Sequence, residues 1–127
     1  MRILFLDDDP ERHLHFQQKL DGVGCDITAV TTSDEAIAAL EARRFEVVFL
    51  DHDLGGQAYV PSGPGTGFEV AQRLVGTANK SAQVIVHSIN EQGAREMLKV
   101  LGPTAVWVPF HQLHTIINAI KIRMKRK

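Results

Sequence analysis

The sequence predicts an α/β fold: a parallel five-stranded sheet with helices on both faces. Three observations carry this expectation. Short apolar runs alternate with amphipathic stretches along the chain, five of each. The clearest runs are apolar throughout, as parallel strands covered on both sides should be. Three of them stop abruptly at polar clusters: Ile3 to Leu6 at Asp7-Asp8-Asp9, Val47 to Leu50 at Asp51-His52-Asp53, and Val84 to Val86 at His87-Ser88.

Each element has a local reason. The first strand is Ile3 to Leu6. Pro10 suits the first turn of the helix that follows, where its missing N–H costs little. His13, Phe16 and Leu20 share a face of that helix, and Asp21-Gly22-Val23-Gly24 ends it. Cys25 to Thr31 is rich in β-branched residues and reads as the second strand. Ser33 is the expected N-cap of the second helix, with Asp34 and Glu35 in its first turn and Ile37 and Leu40 facing inward. Val47 to Leu50 is the third strand. Gly55 to Gly67 holds five of the ten glycines together with Pro61 and Pro64, so it is a long loop for so small a chain. Phe68, Ala71 and Val75 mark the third helix. Gln83 to Ser88 is the fourth strand. Ala94, Met97, Leu98 and Leu101 mark the fourth helix, stopped by Gly102-Pro103. Ala105 to Val108 is the fifth strand, ended by Pro109. Leu113, Ile116, Ile117 and Ile120 stripe the fifth helix.

The commonest arrangement for this element count is a flavodoxin-like three-layer sandwich with strand order 2-1-3-4-5. A chain of 127 residues with 44% hydrophobic residues is expected to form one domain over 1–127 and to bury a core without a metal or disulfide staple. The single cysteine, Cys25, excludes an internal disulfide framework. The 23% charged content argues against disorder. No apolar run approaches the about 20 residues needed to span a bilayer, and the early aspartates do not suit a signal peptide. A soluble, cytoplasmic protein without a membrane partner is expected. Charge is uneven: five of the 14 Lys and Arg lie at 121–127 (Lys121, Arg123, Lys125, Arg126 and Lys127). This basic C-terminal tail suits either an anionic partner or the negative end of a final helix.

Ligands of open α/β sheets bind beyond the carboxyl ends of the strands, near the switch in strand order. That rule brings Asp7, Asp8, Asp9, Asp51, His52, Asp53, His87, Ser88 and Asn90 to one mouth. A lone aspartate after a strand is usually a turn former or a cap. Two clusters after two neighbouring strands are harder to explain that way. Clustered carboxylates repel, and a cation is the simplest remedy. An oxygen-rich set suits Mg²⁺ or Mn²⁺; the two histidines also admit Zn²⁺, less readily. No Walker loop, nucleophile elbow or metal-binding cysteine pair is present.

These residues resemble a two-component receiver domain over nearly the whole chain. The resemblance implies that Asp8 and Asp9 are the acidic pair holding Mg²⁺ and that Asp51 is the phosphoacceptor. It also implies that Asp53 lends a backbone carbonyl to the metal and that Ser88 contacts the phosphoryl group. The chain departs from that pattern in four ways, the first being that His52 and His87 are not part of the usual receiver set. Val108 stands before Pro109 where receivers carry a lysine, bulky Ile89 follows Ser88, and the loop after Asp51 is long. The departures resemble the cyclic-phosphate-processing receiver-like group associated with RNA repair. The matching stretches are Leu6-Asp7-Asp8-Asp9-Pro10-Glu11-Arg12, Leu50-Asp51-His52-Asp53-Leu54-Gly55-Gly56, Thr66-Gly67-Phe68-Glu69-Val70 and His87-Ser88-Ile89-Asn90.

Two functions follow as expectations. In the first, the chain is a metal-dependent cyclic phosphodiesterase acting on RNA or a nucleotide with a cyclic phosphate end. Asp8, Asp9, Asp51 and Asp53 would hold the metal, and His87 and His52 would serve as general base and acid. Arg12, Ser88 and Asn90 would bind the phosphate, and the basic tail would help hold the strand. In the second, Asp51 accepts a phosphoryl group from a histidine kinase, or the chain binds another signalling protein without phosphorylation.

Overall fold

The computed structural model describes residues 1–126. Five strands form one parallel sheet in the order β2-β1-β3-β4-β5. They are β1 (Arg2–Leu6), β2 (Asp26–Val30), β3 (Val47–Leu50), β4 (Gln83–Val86) and β5 (Ala105–Trp107). The helices are α1 (Pro10–Lys19), α2 (Ser33–Ala42), α3 (Gly67–Leu74), α4 (Glu91–Leu101) and α5 (His114–Lys125). Short 3-10 turns lie at Ala78–Ser81, Gly102–Thr104 and Phe110–Gln112. The arrangement is the flavodoxin-like one expected from the alternation of elements.

Successive strand residues point to opposite faces, so the sheet has two cores. Leu4, Leu6, Val48, Leu50, Val84 and Val86 face one way and pack with Ala36, Leu40, Val70, Leu74 and Met97 from α2, α3 and α4. Ile3, Phe5, Phe49 and Ile85 face the other and pack with Phe16, Leu20, Leu113, Ile117 and Ile120 around α1 and α5. The register sets Leu6 level with Leu50, and Leu50 level with Val86. Three strands therefore end side by side.

Some boundaries differ from the sequence reading. The N-cap of α2 is Thr32, whose hydroxyl accepts the Glu35 amide, and Ser33 is the buried first helical residue. Thr32 and Glu35 stand in the spacing of a capping box, which favours Thr32 over its neighbour. On α3 the inward residues are Val70, Ala71 and Leu74, whereas Val75 caps the helix and is exposed. The basic C-terminal stretch is helical through Lys125, so Lys121, Arg123 and Lys125 belong to α5; Lys127 lies outside the described residues. No helix among the described residues is long and apolar enough to cross a membrane.

Candidate active site

The strand alternation continues one step past each strand and sorts the polar side chains. Leu6, Leu50 and Val86 face α2, α3 and α4, so Asp7, Asp51 and His87 turn toward α1 and α5. Asp7, Asp8 and Asp51 bring one carboxylate oxygen each within 4.8 Å of one another. The open pocket at this mouth is lined by Asp8, Asp9, Arg12, Asp51, His87 and Phe110 among others.

Arg12 sits at the centre of the acids. Its Nε and Nη2 donate to the two oxygens of buried Asp7 at 2.8 and 2.9 Å, a bidentate pair. Nη2 also lies 3.6 Å from Asp8 and 3.6 Å from Asp51, and Nη1 lies 3.6 Å from Asp9. One guanidinium thus faces four carboxylates. The imbalance shows at Asp51: burial, with the charge of Asp7 adding to it, pushes its carboxyl up to about 7 against the pull of Arg12.

The other two aspartates of the expected metal set are engaged elsewhere. Asp9 is the N-cap of α1, its carboxylate accepting the Glu11 amide at 2.9 Å. Asp53 points away from the mouth. Its carboxylate accepts from Asn90 Nδ2 at 3.0 Å and the Tyr59 amide at 2.6 Å, and it pairs with His52 Nδ1 at 2.7 Å. Burial works against this charge, but those hydrogen bonds outweigh it and hold the carboxyl below its ordinary range.

The two histidines part company. His87 stays with the acids. Its ring stacks flat on Phe5, with 5.0 Å between centroids, and Nε2 lies 3.1 Å from the Leu6 carbonyl. A carbonyl only accepts, so Nε2 carries the proton and Nδ1 keeps its lone pair, 3.6 Å from Asp7 Oδ2. Burial lowers the imidazole to about 4, against the pull of Asp7, so it is neutral at pH 7.

His52, one alternation step beyond Asp51, faces α4 instead. It is fully buried, and Gly93 lies so close that a Cβ there would come within 2.6 Å of its ring. Its Nδ1 pairs with Asp53 and its Nε2 with Ser62 Oγ at 2.9 Å, while Ser62 donates to Glu96 at 2.6 Å.

Ser88 and Asn90 are buried as well. The Ser88 hydroxyl accepts the Asn90 amide at 3.0 Å. Asn90 caps α4 by accepting the Gly93 amide at 2.9 Å and donates to Asp53 and to the Val60 carbonyl. Both therefore hold the loop to α4, and neither lines the acid pocket.

The structure also adds residues that the sequence reading did not assign. Asp7, which the sequence reading brought to the mouth but left out of the metal set, supplies one of the three clustered carboxylates, as the period-two pattern carried past Leu6 implies. Gly56 donates its amide to Asp8 at 2.6 Å and brings the long loop over the mouth. Ser62 and Glu96 complete the His52 chain from far along the sequence, where no local pattern signals them. Gly67 donates its amide to the His52 carbonyl at 2.8 Å, and a Cβ there would collide with the Asp51 carbonyl.

Solved structures share this architecture. A CheY-like receiver domain from Methanospirillum hungatei JF-1 is 18% identical, with 98% of this chain and 96% of that one covered at a TM-score of 0.70. A receiver domain of a sensor histidine kinase from Pseudomonas aeruginosa PAO1, with magnesium in its active-site cleft, is 19% identical; 94% of this chain and 96% of that one are covered, at a TM-score of 0.70. A Burkholderia pseudomallei response regulator, carrying a phosphorylated aspartic acid and calcium, is 19% identical; 98% of this chain and 69% of that one are covered, at a TM-score of 0.71. At these identities the likeness establishes the fold. No curated protein sequence matches the chain. Its sequence does match the cyclic-phosphate processing receiver domain over residues 2–102, most of its length, and the chain belongs to that family.

Proposed function

We propose that the chain is a divalent-metal-dependent phosphoester hydrolase that opens cyclic phosphate ends of RNA or nucleotides. The observation that supports this best is the pairing, in one open pocket, of an undercompensated carboxylate cluster with a neutral imidazole.

The donor set fits a hard cation. Asp8 and Asp51, with Asp7 behind them, would hold it, and Asp51 is the carboxyl whose charge the pocket leaves least compensated. With His52 turned away, the donors are oxygens, which favours Mg²⁺ or Mn²⁺ over Zn²⁺. Asp9 is committed to capping α1, and Asp53 would offer its backbone carbonyl. When bound, the ion offsets charge on the phosphate and polarises it.

The chain's own residues do the rest. Arg12, locked by Asp7, presents its outer N–H groups to phosphate oxygens. His87 Nδ1 takes a proton from the attacking water. A bond forms from that water to phosphorus, one ring P–O bond breaks, and the released ribose oxygen takes a proton from solvent at the open mouth. Asp51 as nucleophile is a covalent variant with the same products. His52, Ser88 and Asn90 act as positioning residues, holding Asp53 and the loop.

The test is phosphorus NMR of a ribonucleoside cyclic phosphate and of a short RNA ending in one, with protein and Mg²⁺ or Mn²⁺. Ring opening that requires metal and is lost in Asp51→Asn and in His87→Ala is expected. No turnover by folded, metal-loaded protein overturns the reading.

A second reading is a signalling receiver phosphorylated on Asp51 by a histidine kinase. It is favoured by the position of Asp51 at the end of β3, in a pocket open to solvent. Against it stands Val108 at the end of β5, where no cation is available to neutralise a phosphoryl oxygen. Stable mass addition at Asp51 from a small phosphodonor would favour this reading.

A further inference from the structure

We propose that the groove between α1 and α5 is a subsite for single-stranded RNA, holding the nucleotides upstream of the cyclic phosphate end. The proposal rests on the phosphoester reading for the chemistry in the acid pocket. The groove has its own chemistry, which can be tested separately.

Both helices follow strands of a parallel sheet, so both start at the mouth and run away from it. On α1, Arg12, His15 and Lys19 recur at three- and four-residue steps and share one face. On α5, His114, Asn118 and Lys121 repeat that spacing. His15, Lys19, His114, Asn118 and Lys121 line the groove together with Phe110. None of the groove's lining residues is a carboxylate, whereas Asp8, Asp9 and Asp51 all line the pocket beside it. In a chain of net charge −1, this local excess of cations is an exception.

Phe110 lines both cavities and joins them. The guanidinium carbon of Arg12 lies 5.7 Å above its ring, and the His15 ring meets it edge-on at 5.9 Å. An aromatic ring beside a guanidinium is a platform on which a base stacks while its phosphate is neutralised. The groove opens on the α1 and α5 side of the sheet, the side to which Asp7, Asp51 and His87 point. A terminal phosphate among the acids and a strand along the groove therefore form one continuous path. Arg12 and Lys19 are about 10 Å apart along the helix axis. That length accommodates about three stacked nucleotides at about 3.4 Å each. Contacts of this kind read backbone and stacking, so little sequence preference is expected.

The experiment compares a ribonucleoside cyclic phosphate with RNA di-, tetra- and hexanucleotides ending in the same group. It reads both KM and binding, the latter by fluorescence anisotropy of labelled oligonucleotides. KM should fall by at least about tenfold from mononucleotide to tetranucleotide and then level off. The double substitution Lys19→Ala/Lys121→Ala should bring the ratio of the two KM values toward unity. It should also lower the salt dependence of oligonucleotide binding by about 0.7 logarithmic units per lysine removed. Lys19→Arg/Lys121→Arg should retain both effects, which separates charge from folding. A length-independent KM in an active protein overturns the groove and spares the phosphoester reading. Salt-dependent oligonucleotide binding that is lost in the double variant, without turnover, overturns the phosphoester reading and supports the groove. Equal competition by an aspartate peptide of matched charge overturns the strand in favour of an acidic protein partner.

Discussion

Asp51 and His52 are neighbours in sequence, and both are buried, yet they stand in opposite kinds of surroundings. On the α4 side, His52, Asp53, Asn90, Ser62 and Glu96 satisfy one another in a closed hydrogen-bonded set. On the α1 side, Asp7, Asp8, Asp9 and Asp51 share one guanidinium, and all of them but buried Asp7 line an open pocket. Polarity and burial alone do not mark a reactive site. Uncompensated charge beside an open cavity does. The contrast predicts that substitutions on the closed side cost stability, whereas those on the open side cost activity.

The largest effect is expected where the two sides share backbone. Gly67→Ala forces a methyl group into the Asp51 carbonyl and should cost about 4 kcal/mol or more in urea unfolding. A wild-type midpoint would show that α3 shifts freely, and that the two sides are not locked together there.

Next comes His52→Ala. It strips partners from buried Asp53 and Ser62 and should cost about 3 kcal/mol. Hydrogen exchange in the loop before α3 should rise with it. Loss of turnover at unchanged stability would instead move His52 to the reactive side and break the contrast.

His87→Ala should do the reverse. Turnover should fall at least about 100-fold, roughly 2.7 kcal/mol in the barrier, with a circular dichroism spectrum like the wild type's. Retained turnover would remove His87 from the chemistry.

The last effect, about half as large per pH unit as those above, concerns pH, in chelator. Asp51 at about 7 keeps a proton that the unfolded chain releases near 4, so its contribution to stability falls as pH rises through that window. His87 at about 4 refuses a proton that the unfolded chain takes near 6.5, so its contribution rises over nearly the same range. The two oppose and leave a shallow net slope. Asp51→Asn removes the falling contribution and should expose a rise approaching about 1.4 kcal/mol per pH unit. An unchanged profile would mean that Asp51 is not held uncharged.

Much of this was legible in the sequence. The apolar runs fixed the strands, and their polar endings located the mouth, because a strand end in a parallel sheet is also a site end. The pairing of His52 with His87 was not correctly readable from position alone. The two residues sit on neighbouring strand ends, but one step of alternation separates Asp51 from His52 and sends the latter to α4. Asn90 reads as a polar residue near a phosphate, and only its contacts disclose a helix cap. Ser62 and Glu96 depend on a chain path that local pattern does not encode.

The hydrogen bond from the Gly67 amide to the His52 carbonyl ties the two feet of the intervening loop together at 2.8 Å. The segment between them is thereby a closed excursion, moored again along its length by the Gly56 amide on Asp8 and by Ser62 between His52 and Glu96. Change is confined to the positions between those moorings, while the tied feet keep the strand end beneath in register. Reshaping the mouth is then a matter of redesigning the free stretches of one excursion of the chain, with the sheet left untouched.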